Sequence, residues 1–229
     1  MLTRRIQAIV WLVVPLAWAV GCAGPPPPRT VYQDPITAVQ LRTDTKAAQA
    51  HTHPAALTPE QVKTVLGGIR VQPREEPIMS VLGSMPAVLP AFSPTELQAL
   101  SLPISTALAT AKPNELITFY RRISDTEIGL GFTTGGIFVE KGLIYIILAN
   151  YRALPIDGMV RGVPGYLVDP VNDPLLTLGK KSYKLSYVRS EAEVHPVEWS
   201  GRYDPLHTLI VDIILAMGGM PGSSRPSQP

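Results

Sequence analysis

The sequence predicts an α+β domain in which an antiparallel sheet of about five strands packs with short N-terminal helices and an amphipathic C-terminal helix. Three observations favour this class. Helix-start signals occur near residues 58 and 93, a β-hairpin pattern covers residues 137–151, and apolar residues recur at helical spacing near the C-terminus. The predicted folded part, residues 57–219 of a 229-residue chain, has the size of one domain.

Both helix starts carry a capping box. In this motif the N-cap hydroxyl accepts the backbone N–H of the residue three positions later, and the side chain of that residue accepts the backbone N–H of the N-cap. Thr58 with Gln61 forms the first box, and Ser93 with Glu96 forms the second. Pro103 lies about three turns after the second start. Since proline removes a helical hydrogen bond, we expect that helix to stop there and another short helix to follow.

Sheet-type periodicity begins near residue 115. Strands are predicted at residues 116–121, 127–132, 137–139, 143–151, 175–178 and 183–189. Between the third and fourth of these, Glu140-Lys141-Gly142 suits a type I turn followed by a left-handed glycine, so a hairpin is expected. Residues 193–199 predict an edge strand, because Pro196 cannot donate to a central ladder.

The last predicted element is a C-terminal helix that packs on the sheet. Its apolar stripe follows the i, i+3, i+4, i+7 pattern through Leu206, Leu209, Ile210, Ile213, Ile214 and Met217. Residues 220–229 are rich in Pro and Ser and predict a disordered tail.

The N-terminus has the pattern of an export signal. Arg4 and Arg5 precede an apolar run over residues 9–20, and Gly21-Cys22 closes it with a small residue before the cysteine. The run is shorter than the roughly 20 residues that a permanent membrane helix needs. This stretch resembles the signal of bacterial lipoproteins, with Ala19 where leucine is common.

The resemblance implies that residues 1–21 are removed and that Cys22 becomes the acylated first residue of a membrane lipoprotein, with palmitate among its acyl groups. Because Ala23 stands where an Asp would retain such a protein at the inner membrane, the resemblance also implies the outer membrane, facing the periplasm. The partners expected are therefore the membrane, through the lipid on Cys22, and another protein of the cell envelope.

Composition excludes several functions. Cys22 is the only cysteine, so the mature chain has no disulfide and no cysteine metal ligand. Loss of Arg4 and Arg5 lowers the 20 Lys and Arg residues to 18, against 18 Asp and Glu, so the mature chain is neutral. A neutral chain lacks the basic excess that binds phosphate backbones, and no nucleic-acid partner is expected.

Residues 22–56 predict a flexible tether between the lipid and the folded domain. Pro25 to Pro28 favour extended polyproline geometry, and the remainder is polar and Ala-rich, with a weak strand pattern at residues 36–41. Within this segment, His51 and His53 have a spacing at which two imidazoles can meet one metal ion. Since zinc sites need three or four ligands, the alternative is a pair of solvated linker histidines.

Candidate catalytic residues are scattered. His195 lies near Glu193, Glu198 and Ser200, whereas nucleophile-elbow, metalloprotease and phosphate-loop motifs are missing from the sequence. Two function classes remain open. The first is a lipid-anchored binding or assembly module of the envelope that acts without catalysis or cofactor; the alternative is an envelope hydrolase that uses His195 with the nearby carboxylates.

Overall fold

A computed structural model describes most of the chain between residues 26 and 219. The described ranges are 26–47, 49–73, 87–125, 129–154, 159–160, 163–164, 169–178, 183–195 and 203–219. The export signal, Cys22 and the predicted tail lie outside these ranges, so the predictions made for them stay predictions.

The fold is α+β, built mostly from antiparallel sheet. The strands are β1 (Arg29–Gln33), β2 (Thr37–Thr43), β3 (Ile69–Pro73), β4 (Leu89–Pro90), β5 (Glu115–Asp125), β6 (Gly129–Glu140), β7 (Leu143–Ala153), β8 (Met159–Val160), β9 (Val163–Pro164), β10 (Tyr183–Tyr187) and β11 (Thr208–Asp212). The helices are α1 (Pro59–Gly67), α2 (Pro94–Thr110) and α3 (Ile213–Ala216).

The main sheet has six strands in the order β1-β2-β5-β6-β7-β11. A three-stranded sheet, β10-β3-β4, and the small β8-β9 ribbon complete the described strands. All the pairings among these described strands are antiparallel. One large core lies between the main sheet, α1, α2 and the three-stranded sheet, and its largest fully buried side chains include Leu41, Leu66, Leu100, Ile104, Phe119 and Ile146.

The predicted helix starts are confirmed. Thr58 and Gln61 form a complete capping box at α1, and Ser93 and Glu96 form one at α2. The predicted break at Pro103 is wrong, because α2 continues through it to Thr110. Residues on both sides of the proline belong to one buried face, and packing of that face outweighs the lost backbone hydrogen bond.

The predicted hairpin is confirmed as β6–β7, with a different turn. Glu140 pairs directly with Leu143, which leaves a two-residue loop. Lys141 and Gly142 both have positive φ, 51° and 81°. This is the pattern of a type I′ turn, whose twist matches that of the flanking strands.

The predicted tether over residues 22–56 is wrong for its described part. β2 pairs with β5 over seven residues and contributes Val39 and Leu41 to the main core. β1 pairs in turn with β2. The folded region therefore includes strands that precede residue 57, where the sequence placed its start.

The predicted C-terminal helix is also wrong. Residues 208–212 form β11, which pairs with β7, and only residues 213–216 are helical. Ile210 and Val211 are β-branched and buried, which favours a strand covered on both faces over a helix. The side chain of Asp212 then accepts backbone N–H groups and starts the short α3.

One further strand prediction is wrong, and another lies largely outside the described residues. Residues 175–178 form turns and irregular chain and not a strand. In the predicted edge strand at 193–199, Glu193 forms an isolated bridge with Val211, and residues 196–200 lie outside the described part of the chain. The prediction at 183–189 is confirmed as β10, which belongs to the three-stranded sheet.

Candidate functional site

His51 is the centre of a buried ionic cluster. Its Nε2 lies 3.0 Å from Oδ2 of Asp44, and its Nδ1 lies 3.1 Å from Oε1 of Glu140. The His51 side chain is 0% exposed, and those of the two acids are 1% and 8% exposed. Since carboxylates only accept, an imidazolium that donates from both nitrogens satisfies both contacts.

The acids of this cluster have further support. Asp44 accepts the N–H of Lys46 at 2.9 Å, and the Tyr203 hydroxyl lies beside the same carboxylate. Burial acts to raise the pKa of Asp44, but the hydrogen bonds from His51, Tyr203 and Lys46 leave that pKa lowered. The amide of Gln49 reaches Glu140 at 3.4 Å. The contacts around Asp44 therefore favour its charged carboxylate.

Aromatic rings enclose the cluster on one side. The ring of Phe138 lies 4.5 Å from that of His51, and the ring of Tyr145 stacks on Phe138 at 4.6 Å. Tyr203 is a third neighbour, 5.8 Å from Phe138. These rings exclude water, which strengthens the ionic contacts and raises the cost of leaving any one of the charges unpaired.

His53 is buried beside His51 and acts as an acceptor. Its Nε2 accepts the backbone N–H of Val139 at 3.1 Å, and its ring centre lies 5.4 Å from that of His51. Burial lowers the pKa of His53 to about 4, and the neighbouring charge of His51 contributes in the same direction. At neutral pH this imidazole is uncharged.

The sequence offered two interpretations of His51 and His53, a metal-binding pair and a pair of solvated linker residues, and the structure agrees with neither. They are 4% and 6% exposed, so they are not solvated linker residues. They do not form a metal pair either, because both nitrogens of His51 contact carboxylates and Nε2 of His53 binds Val139. Among the described residues, no group of three or more His, Cys, Asp or Glu is arranged to hold a metal ion.

The ionic cluster borders an open cleft of about 410 Å³. Its polar lining includes Arg42, Asp44, Lys46, Asp173 and Tyr203. Asp44 already binds His51, and the ammonium of Lys46 lies 5.3 Å from the centre of the Tyr203 ring. Asp44 and His51 therefore do not form an acid–base pair that could act on a substrate, because both ring nitrogens of His51 already contact carboxylates.

His195 is exposed at the molecular surface. Its side chain is 81% exposed, and its Nε2 lies 3.4 Å from Oε1 of Glu193. The second oxygen of Glu193 accepts the backbone N–H of Tyr187 at 2.9 Å, which fixes this carboxylate structurally. Glu198 and Ser200 lie outside the described residues, so of the three predicted neighbours only Glu193 is placed beside His195.

A second surface feature lies where β1, an edge strand of the main sheet, meets α2. A groove of about 360 Å³ opens there, lined by Val31, Tyr32, Gln98, Ala99, Leu102, Pro103 and Thr106. Tyr32 is 40% exposed and Leu102 is 62% exposed. The lining is apolar with two uncharged polar residues, so the groove suits an uncharged, largely apolar side chain.

The start of β1 is held to the sheet by a bidentate ion pair. Arg29 Nε lies 3.0 Å from Oε1 of Glu115, and its Nη2 lies 2.6 Å from Oε2. The guanidinium also donates to the carbonyl of Thr110 at the end of α2. These contacts fix β1 and the groove beside it as part of the folded domain.

Comparisons with protein families, with curated proteins and with solved structures found no match to this chain. In the described residues, none of the helices has the length and apolar character that crossing a membrane would require.

Proposed function

We propose that the protein is a lipid-anchored binding module of the bacterial cell envelope, which holds a partner at the membrane without catalysis. Acylated Cys22 anchors the protein in the outer membrane, and the folded domain faces the periplasm. The contact surface is the β1 edge together with the groove between β1 and α2. The partner is another envelope protein that supplies an extended segment.

One observation carries this proposal: β1, an edge strand of the main sheet within the described residues, begins only seven residues after the proposed anchor Cys22. Cys22 and Arg29 are seven peptide steps apart, a span of at most about 25 Å even for a fully extended chain. The edge is therefore held close to the lipid surface. A partner in the same layer meets it at high effective concentration, so strong intrinsic affinity is not required.

The chemistry of the edge supports an extended polypeptide as the occupant. β1 pairs with β2 on one side, and within the described residues it has no strand on the other. Edge strands present backbone N–H and C=O groups to which an added strand can bond. The adjacent groove then receives apolar side chains of that strand beside Tyr32 and Leu102.

Substitution at Leu102 tests this function. Leu102→Glu places a charge in the apolar groove and is expected to reduce capture of the partner from solubilised envelopes at least tenfold, because the carboxylate must be desolvated on binding. Val188→Glu is the matched control, since Val188 is a comparably exposed apolar residue (57%) that does not line the groove. The measurement is quantitative mass spectrometry of the captured proteins.

Equal capture by wild type, Leu102→Glu and Val188→Glu would contradict the groove as the contact surface. Intact mass of the membrane-extracted protein controls the preparation, with an acylated chain beginning at Cys22 expected. His195→Ala distinguishes the hydrolase alternative: capture and cellular function are expected to be unchanged. Loss of function with normal folding, export and abundance would favour the hydrolase.

A further inference from the structure

The described chain between β2 and α1, residues 44–47 and 49–58, forms a strap across one end of the main sheet. His51 N–H donates to the carbonyl of Pro113 at 2.7 Å, and Thr52 N–H donates to that of Val139 at 2.7 Å. Ala55 N–H donates to Leu108 of α2 at 2.9 Å. The strap thus fastens the β6–β7 hairpin, the start of β5 and α2 to one another.

The side chains that fasten the strap are ionisable. Asp44 and His51 belong to the strap, whereas Glu140 belongs to the hairpin, so the ionic cluster joins the two. His53 makes a second connection through Val139 of β6. Because histidine changes its charge near physiological pH, the bond through His53 makes this attachment depend on protons.

We propose that His53 and the Asp44–His51–Glu140 cluster form an acid-sensitive clamp, which fastens the strap at neutral pH and releases it on acidification. This device is independent of the function proposed above. It gives the two buried histidines, which the binding surface does not use, a regulatory role.

Protonation of His53 opens the clamp for two reasons. The imidazolium can no longer accept the Val139 N–H, so a buried donor loses its partner. It also places a second positive ring 5.4 Å from His51. The first effect acts at Val139 of β6 and the second on the strap, and neither breaks the pairing of β5 with β6 over residues 129–137.

The surrounding charges do not remove this effect. The strap also carries Lys46, which lies over Tyr203, and the hairpin turn carries Lys141, whose N–H binds Thr52. Near the start of β5, Lys112 and Glu115 lie close to His53. Their backbone groups and the charge of Glu115 act to raise the pKa of His53, but burial lowers it by more. The strap's contacts on α2, through Ser105 and Leu108, are uncharged.

The sign and size of the effect follow from linkage. An exposed histidine titrates near 6.5, whereas the pKa of His53 in the closed clamp is about 4. Between pH 6.5 and pH 4 the open strap binds more protons than the closed clamp does, so a fall in pH favours opening. If His53 regains its ordinary pKa on opening, the opening constant rises about 20-fold between pH 7.0 and pH 5.0.

Release would also change the cleft. Asp44, Thr45 and Lys46 belong to the strap and line the 410 Å³ cleft together with Tyr203. When Asp44 leaves His51, its carboxylate and the Lys46 ammonium become free to move. The clamp therefore connects proton concentration to the shape and charge of this cleft.

Residue-resolved hydrogen exchange of the full mature chain tests the clamp. After correction for intrinsic exchange rates, the amides of His51, Thr52 and Ala55 are expected to lose about 20-fold in protection from pH 7.0 to pH 5.0. Amides of the β5–β6 ladder should change less than twofold. His53→Gln keeps an acceptor for Val139 but does not titrate, and it should abolish the loss; His195→Gln removes an exposed imidazole and should retain it.

Three results would overturn the proposal: pH-insensitive protection of the strap, equal loss in the strap and the ladder, or an undiminished loss in a folded His53→Gln variant. If His53→Gln fails to fold, the comparison of strap and ladder amides in the wild type decides alone.

Discussion

Gly135 of β6 lies between Phe119 of β5 and Leu148 of β7 in the main sheet. An added Cβ would overlap the carbonyl oxygen of Ile147 and come within 2.7 Å of the Phe119 ring. Both obstacles belong to the buried sheet, where neither backbone nor ring can move freely. A side chain is therefore excluded at this position. Gly131 of the same strand differs, since its nearest neighbour would be the Ala153 carbonyl at 3.4 Å, an ordinary contact.

Gly135→Ala is expected to lower the free energy of unfolding by about 3 kcal/mol or more, because the sheet must separate to admit the methyl group. Gly131→Ala is the matched control and should change stability by under about 1 kcal/mol. Denaturant unfolding of the two variants beside the wild type checks this. Similar stabilities for both variants would mean that β6 and β7 are not packed as described.

The buried histidines show what the sequence can predict about single residues and what it cannot. The His-x-His spacing draws attention to His51 and His53, but their partners are not visible from it. Glu140 lies 89 residues from His51, and the bond depends on the sheet bringing the hairpin to the strap. Burial and charge pairing of this kind follow from tertiary structure, so a single sequence could not separate a metal pair, a solvated pair and an ionic cluster.

At the scale of elements, local signals predicted local structure. The two capping boxes and the β6–β7 hairpin are confirmed because each depends on residues within a few positions. The C-terminal segment is different. Its apolar spacing fits a helix, yet five of its residues pair with β7. β-branched residues and a buried partner strand outweighed the helical period there.

Side-chain truncation in this segment distinguishes a strand followed by a short helix from a continuous helix. Ile210 in β11 is 4% exposed, so Ile210→Ala is expected to lower the free energy of unfolding by about 2–5 kcal/mol. Ile214 in α3 is 37% exposed, and Ile214→Ala should cost under about 1 kcal/mol. A helix over the whole segment would make both costs similar. Thermal or denaturant unfolding provides the measurement.

For the whole molecule, the sequence predicted the α+β class but not the extent of the sheet. Residues 29–43 were assigned to a tether with only a weak strand pattern at residues 36–41, because Pro-rich and polar residues dominate the composition around them. The pairing of β2 with β5, about 80 residues away, and of β1 with β2 makes both strands part of the sheet. For the proposed lipid on Cys22, this correction means that β1 begins only seven residues after the anchor, so the proposed contact lies close to the membrane.

The most direct test of the account is photo-crosslinking in intact cells from a photoreactive amino acid at position 102. In the Cys22-anchored protein we expect a covalent adduct with another envelope protein, and none from the matched position 188. In the Cys22→Ser variant, exported by a conventional signal, the adduct should fall at least tenfold, although solubilised partner is still captured. Equal crosslinking from positions 102 and 188, or an adduct at 102 unaffected by loss of Cys22, would contradict the proposed anchored edge.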